Sequence, residues 1–329
     1  MSTGLRKRCR NGRVCMSHCA RMGVAAAAFV AVAACGGPLS GGLMPTPVSP
    51  GSETVSVTGD QRSYLVHVPE TRATKGDMPL LLVLHGGFST AERMKTVTGF
   101  DEVADRYGFI VAYLQGRGRN WKDGRSPQHF TSRNIDIPYV KAVIEALTQS
   151  HPVDTSRIYA TGFSNGSIMS QRLACEMSET FAAVAPISGP MAVEMGERCE
   201  PERAISVLYM HGTADELIEF DGGLIVGGRL PGKVWSAERT LDFWRQNAGC
   251  HDTGEVSRID RRDDGTSVTI TRYDRCEAGA EVMMVTIVGG GHTWPDEPDE
   301  VGRSSRSGRV THDIDGSEFI WKFLSSQSL

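Results

Sequence analysis

The sequence predicts an α/β fold in which a doubly wound, mostly parallel sheet forms a single domain. Two observations lead to this prediction. Segments with the composition of strands alternate with segments of helical periodicity over most of the chain, as in parallel sheets whose strands are joined by helices. The run "PLLLVLHGG" (79–87) is continuously apolar, which is typical of a strand buried on both faces.

The predicted elements follow one another from residue 53 to the end of the chain. Two segments of alternating polarity, 53–59 and 62–70, form an antiparallel lead-in to the apolar strand. The later strands are predicted over 109–114, 156–163, 181–188, 204–212, 254–259, 266–274 and 281–289. The helices are predicted over 90–107, 134–149, 165–178, 236–248 and 311–325. No internal repeat and no second domain are evident in the sequence.

The N-terminal segment has the composition of an export signal. Residues 1–21 carry six basic and no acidic side chains, and the apolar run 22–34 is too short to cross a bilayer as a helix. The run ends in Val32-Ala33-Ala34-Cys35, which resembles the site where bacterial lipoproteins are cut and lipidated. We therefore predict a lipoprotein signal peptide over 1–34 and a lipid on Cys35 that anchors the exported protein to the outer face of the cell membrane. An ordinary signal peptide followed by an incidental cysteine is the alternative, and release from the cell stays open.

A tether and a soluble body follow the signal. Residues 35–52 are mostly Gly, Pro and Ser without periodicity, which predicts a flexible tether, and the catalytic body covers 53–329. The formal net charge of the chain is −4, and no stripe of Lys and Arg is present. This charge distribution argues against nucleic acid as a partner.

The body contains an even set of cysteines, Cys175, Cys199, Cys250 and Cys276. In an exported protein such a set predicts two disulfides, for which three pairings are possible. Sequence proximity favours Cys175–Cys199 and Cys250–Cys276. A zinc site is the competing interpretation, and the lack of a C-x-x-C pair or a close Cys/His cluster argues against any metal.

Three polar residues follow predicted strands at their carboxyl ends, where parallel sheets gather catalytic groups. Ser164 lies in "GFSNG" (162–166), the only G-x-S-x-G of the chain, while Asp215 and His292 follow two later strands. The motif alone is a weak signal in a chain with 37 Gly. The order Ser, Asp, His at three strand ends is more specific, because it is the order of the α/β-hydrolase triad.

The chemistry of acyl transfer explains these residue types. A serine hydroxyl is a weak nucleophile, so an imidazole must accept its proton; His292 is predicted to do so, with Asp215 orienting it. The oxyanion needs backbone N–H donors, for which we predict Asn165 together with Gly87 or Phe88. Two tryptophans in loops, Trp121 and Trp294, are candidates for the wall of the substrate pocket, with plain packing as the alternative.

Other acids and histidines compete for the same roles. Asp215 could instead cap a helix, and His292 could be a loop histidine without a role. The rival acids and histidines are Glu216, Glu219, Asp221, His251 and His312. His85 and His211 end strands next to glycine, and we interpret both as structural residues.

Several motifs in order resemble a known family. "YLVHVPE", "LLLVLHGG", "YATGFSNGSIMS", "YMHGTADELIEF", "FWRQNAGC" and "VTIVGGGHTWP" are similar to the polyhydroxybutyrate depolymerase and feruloyl esterase-like family of α/β-hydrolases, and most to its lipoprotein esterases. The resemblance covers about residues 62–296, with Ser167 where the family usually has glycine. It implies ester hydrolysis by Ser164, Asp215 and His292 without metal or cofactor, and it supports the two cysteine pairs.

We therefore predict an exported serine esterase that acts on short-acyl, hydroxyalkanoate or feruloyl-type esters. Its expected partners are an ester substrate and, through Cys35, a membrane. An acyltransferase or a peptidase with the same triad, and a surface lipoprotein that binds without catalysis, are the alternatives.

Overall fold

A ten-stranded sheet carries the fold. The computed structural model describes residues 52–57, 60–69, 76–130, 135–225, 231–251, 253–298 and 306–329, which belong to one compact unit, Pro47–Leu329. The predicted signal peptide and Cys35 lie outside the described residues.

The bounds of the elements are as follows. The strands are β1 (Ser52–Val57), β2 (Asp60–His67), β3 (Met78–Leu84), β4 (Ile110–Leu114), β5 (Val153–Phe163), β6 (Ala183–Ile187), β7 (Ser206–Gly212), β8 (Gly223–Ile225), β9 (Gly232–Val234), β10 (Glu255–Ile259), β11 (Ser267–Tyr273) and β12 (Val282–Val288). The helices are α1 (Ala91–Thr98), α2 (Phe100–Tyr107), α3 (Asp136–Ser150), α4 (Asn165–Glu176), α5 (Val193–Gly196), α6 (Ala237–Asn247) and α7 (Gly316–Leu324).

The sheet is parallel at its centre and antiparallel at both edges. Its order is β1-β2-β4-β3-β5-β6-β7-β12-β11-β10. All neighbours from β4 to β12 pair in parallel, whereas β1, β2, β10 and β11 pair antiparallel. The carboxyl ends of β3, β5, β7 and β12 therefore lie along one edge of the sheet, as the doubly wound prediction requires.

Two apolar cores cover the two faces of this sheet. The buried strand β3 alternates between them, with Leu80 and Leu82 in one core and Leu81 and Val83 in the other. Helices α3, α4 and α6 supply buried side chains to the first core, and α1, α2 and α7 supply them to the second. The continuously apolar sequence of β3 is thus explained by burial on both faces.

The structure corrects one predicted helix and adds elements that the sequence did not indicate. The helix expected over 90–107 is two helices, because Gly99 adopts a left-handed conformation (φ 56°) that ends α1 and begins α2. The short helix α5 and the small antiparallel sheet of β8 and β9 were not predicted. None of the helices in the described ranges is both long and apolar enough to cross a membrane.

Both disulfides have the pairing that sequence proximity favours. Cys175, near the end of α4, is bonded to Cys199, which follows α5. Cys250, after α6, is bonded to Cys276, which precedes β12. Each bond closes a short loop and restricts the unfolded chain more than the folded one.

His85 joins the loops that follow β3 and β4. Its Nε2 accepts the N–H of Gly116 at 2.9 Å, so its proton is on Nδ1, which donates to the Gly86 carbonyl at 2.7 Å. The side chain is fully buried. Burial lowers the pKa of His85 from 6.5 to about 4. The structural interpretation of His85 agrees with these contacts.

This lowered pKa predicts a loss of stability in acid. Between pH 6.5 and pH 4 the unfolded chain binds a proton at His85 that the folded chain does not, so the free energy of unfolding falls as the pH is lowered. The share due to His85 is at most about 3 kcal/mol. Urea unfolding at a series of pH values measures it. We expect His85→Gln to flatten the decline and the exposed His312→Gln to leave it unchanged; parallel curves for all three proteins would contradict the assignment.

Candidate active site

Ser164 lies on a strained turn between β5 and α4. Its backbone has φ 56° and ψ −117°, which is unusual for a residue with a side chain, and its N–H donates to the Ile187 carbonyl at 2.9 Å. Glycine is required on both sides. A Cβ on Gly162 would lie 2.2 Å from the Gly166 carbonyl oxygen, and one on Gly166 would lie 2.3 Å from that of Leu84. The two glycines of "GFSNG" thus allow β5 and α4 to approach closely.

Asp215 and His292 form a buried hydrogen-bonded pair beside this turn. His292 Nδ1 lies 2.6 Å from Asp215 Oδ2, and the imidazole packs against the Phe163 ring with 4.7 Å between ring centroids. Ser164 and His292 line the same cavity. The structure thus brings together the three residues that the sequence singled out at three strand ends.

The rival residues have other surroundings. Glu216 and Glu219 line the cavity. The exposed imidazole of His312 pairs with Asp296 at 2.8 Å. Asp215 is the acid whose carboxylate contacts His292.

Four hydrogen-bond donors surround the Asp215 carboxylate. Oδ1 accepts the N–H groups of Leu217 and Ile218, both at 2.9 Å. Oδ2 faces His292 and also His211 Nε2, at 3.3 Å. Burial alone would raise the pKa of Asp215, but the hydrogen bonds from His211 and His292 outweigh it and hold the pKa well below its ordinary value. Asp215 is therefore ionised at neutral pH.

One of the two proposed oxyanion donors in the β3 loop is already occupied. The Phe88 N–H donates to the Arg119 carbonyl at 2.7 Å, so this N–H is committed to the loop and Phe88 is removed as a donor. Gly87 lies in the lining of the cavity beside Ser164 and Asn165. Asn165 is the first residue of α4, where N–H groups have no partner within the helix. Of the three predicted residues, Gly87 and Asn165 stay candidates for the oxyanion donors.

The side chain of Asn165 is locked by a network that the sequence did not reveal. Its Oδ1 accepts the Trp121 N–H at 2.7 Å, and its Nδ2 donates to Asp123 Oδ2 at 2.5 Å. The buried Asp123 also pairs with Arg125 and His129, at 2.7 and 3.2 Å. Burial alone would raise the pKa of Asp123, but the contacts with Arg125 and His129 lower it by more. Its pKa therefore lies below the ordinary value. A carboxylate thus anchors the residue after Ser164.

Neither tryptophan belongs to the pocket wall, which corrects the prediction for Trp121 and Trp294. Both are almost fully buried and are absent from the described residues that line the cavity. The indole N–H of Trp121 donates to the His85 carbonyl at 2.8 Å, and that of Trp294 donates to Ser317 Oγ at 3.1 Å. A buried indole needs such an acceptor, and packing therefore explains both residues.

The cavity in front of Ser164 has a volume of about 780 Å³. Three of its apolar side chains are exposed to solvent, namely Phe88, Leu217 and Leu224. Charged residues of both signs are also among the described lining residues: Arg93, Arg125, Arg306, Glu216, Glu219 and Glu297. The cavity can accommodate a ligand of drug-like size with an apolar part.

Known proteins resemble this chain in sequence and in fold. A family model described as "Esterase PHB depolymerase" matches residues 62–228. "Putative esterase NocK" of Nocardia uniformis subsp. tsuyamanensis is 32% identical, over 84% of this chain and 89% of its own length. Feruloyl esterase B of Piromyces equi is 30% identical over 71% of this chain, which spans 43% of that relative.

A solved structure supports the same assignment at the level of the fold. The acetyl xylan esterase from Aspergillus awamori is 14% identical, with a TM-score of 0.55 over 83% of this chain and 98% of that one. The mostly parallel sheet agrees with this likeness. The chain belongs to the esterase PHB depolymerase family and is a carboxylic-ester hydrolase with an α/β-hydrolase fold.

Proposed function

We propose that this esterase works through Ser164 as nucleophile, His292 as general base and Asp215 as the residue that orients His292. The observation that carries the proposal is the buried pair of Asp215 and His292, 2.6 Å apart, beside a cavity that a strained serine also lines. A serine on such a turn presents its hydroxyl to substrate while its backbone is held by β5 and α4.

The proposed reaction has two halves. Ser164 Oγ attacks the ester carbonyl carbon while His292 Nε2 takes the hydroxyl proton, and Asp215 stabilises the imidazolium that results. The N–H groups of Gly87 and Asn165 stabilise the oxyanion. His292 then gives its proton to the leaving alcohol, which leaves an acyl group on Ser164. Water, deprotonated by the same His292, releases the acid.

The cavity supports esters with a short-acyl, hydroxyalkanoate or aryl part. Its volume, about 780 Å³, is sufficient for a feruloyl-sized group, and the exposed Phe88, Leu217 and Leu224 offer apolar surface to a hydrocarbon chain or a ring. The names of two relatives, feruloyl esterase B and acetyl xylan esterase, specify acyl groups of these kinds.

We also propose that the protein acts outside the cytoplasm. The two disulfides support this location, since such bonds persist in oxidising compartments. Attachment through Cys35 rests on the sequence of the signal, because that residue lies outside the described ranges.

Ser164→Ala tests the nucleophile. We expect kcat to fall by about 10⁴-fold or more on p-nitrophenyl esters from acetate to palmitate, and on a feruloyl ester, because no acyl-enzyme can form. Ser170→Ala is the matched control: it removes a buried hydroxyl from α4, the helix that follows Ser164, where Ser170 Oγ donates to the Ser167 carbonyl. Equal activity of Ser164→Ala and Ser170→Ala would refute the role of Ser164.

Added methanol, with analysis of the products, separates hydrolysis from acyl transfer.

Asn165→Ala tests the anchoring of the oxyanion donor. The substitution keeps the backbone N–H but removes the bonds to Trp121 and Asp123, so we expect kcat to fall by about 10- to 100-fold. KM should change little, because an oxyanion interaction forms mainly in the transition state. Steady-state kinetics with p-nitrophenyl butanoate measures both constants. An unchanged kcat in the folded variant would show that the network does not position the donor.

A further inference from the structure

Two buried side chains of β7, Tyr209 and His211, lie next to Asp215. Neither is among the described residues that line the cavity, and His211 is completely buried. The Tyr209 hydroxyl contacts His211 Nδ1 at 2.5 Å. His211 Nε2 lies 2.9 Å from the Ile218 carbonyl oxygen and 3.3 Å from Asp215 Oδ2.

These contacts determine which nitrogen of His211 carries the proton. A carbonyl oxygen can only accept, so Nε2 must be the donor toward Ile218. Nδ1 is then an acceptor for the Tyr209 hydroxyl. Burial, followed by the nearby charge of Asp215, raises the pKa of Tyr209 well above 10, so this hydroxyl keeps its proton and donates.

The Nε2 proton therefore lies between two acceptors, the Ile218 carbonyl and Asp215 Oδ2. Asp215 Oδ2 also accepts from His292 Nδ1, so one carboxylate oxygen serves two imidazoles. The other oxygen is occupied by the N–H groups of Leu217 and Ile218. His211 thus contacts both the carboxylate and the turn that carries it. In the described part of the chain, Tyr209, His211 and His292 are the titratable groups that face Asp215.

We propose that His211 is a positioning residue for Asp215, and that Tyr209 holds His211 in the tautomer that this role requires. The inference rests on the proposed function, because it assigns to His211 an effect on the Asp215–His292 pair. The His211 N–H fixes the direction of Oδ2 toward His292. It also withdraws negative charge from that oxygen, which tunes how strongly Asp215 stabilises protonated His292.

A purely structural role of His211 predicts a different experimental result from the positioning role that we propose. If His211 only anchors the turn through the Ile218 carbonyl, its loss lowers activity or stability at every pH alike. If it also donates to Asp215, its loss leaves more negative charge on Oδ2. Protonated His292 is then stabilised, and activity is lost at a higher pH on the acidic side. The pH profile of kcat/KM therefore separates the two roles.

The experiment compares His211→Gln with His211→Asn on p-nitrophenyl butanoate. The Gln amide nitrogen reaches about the position of Nε2, whereas the Asn amide is one methylene shorter. We expect His211→Gln to stay within about fivefold of the parent protein. For His211→Asn we expect a 10- to 100-fold lower kcat/KM and an acidic limb at higher pH. Tyr209→Phe should fall between them, and the exposed His312→Asn should match the parent.

A second measurement does not depend on turnover. The proton between His292 Nδ1 and Asp215 Oδ2 should give a far-downfield NMR signal, which we expect to move in His211→Asn and to stay in place in His211→Gln and His312→Asn. Equal pH profiles and an unmoved signal in both His211 variants would overturn the proposal. If the parent protein turned over no ester, the proposed function would fail, while the NMR comparison would still decide the role of His211.

Discussion

A carboxylate that is removed from water must receive hydrogen bonds, and this constraint organises the acid side of the site around Asp215. The turn after β7 supplies two N–H groups, His292 supplies a third donor and His211 faces the same carboxylate from behind. Each partner comes from a different part of the chain or of the turn. The position of His292 beside the cavity is therefore a consequence of where a buried negative charge can be satisfied.

A second buried carboxylate, Asp123, plays a comparable part on the other side of Ser164. It contacts Asn165, whose backbone begins α4, whereas Asp215 contacts the imidazole next to the cavity. Both acids are ionised, since neighbouring donors keep their pKa values low despite burial. The Ser164 backbone is held by its N–H bond to Ile187, and Gly162 and Gly166 allow β5 and α4 to approach closely around it.

The sequence predicts the strands and helices of this fold well, because hydrophobic periodicity and apolar runs are patterns among neighbouring residues. The apolar run of β3 can be recognised without knowing how the loops fold. The same holds for the order of Ser164, Asp215 and His292 at strand ends. Loop conformation decided the predictions of site residues that were wrong. Phe88 is excluded as a donor by a bond to Arg119, a residue 31 positions away, and Trp121 is buried by contacts of the same kind. The role of His211 has a sequence signal in "HGTAD", yet only its contacts distinguish it from a residue that merely ends a strand.

The disulfide between Cys175 and Cys199 has a consequence for where the enzyme can work. Ser164 is the N-cap of helix α4, and the last turn of this helix is covalently joined to the segment that follows α5. The proposed nucleophile therefore precedes a helix whose far end is fixed by a disulfide. In the oxidising compartment that we propose, formation of this bond fixes the far end of the helix that follows Ser164, so oxidation belongs to the maturation of the protein.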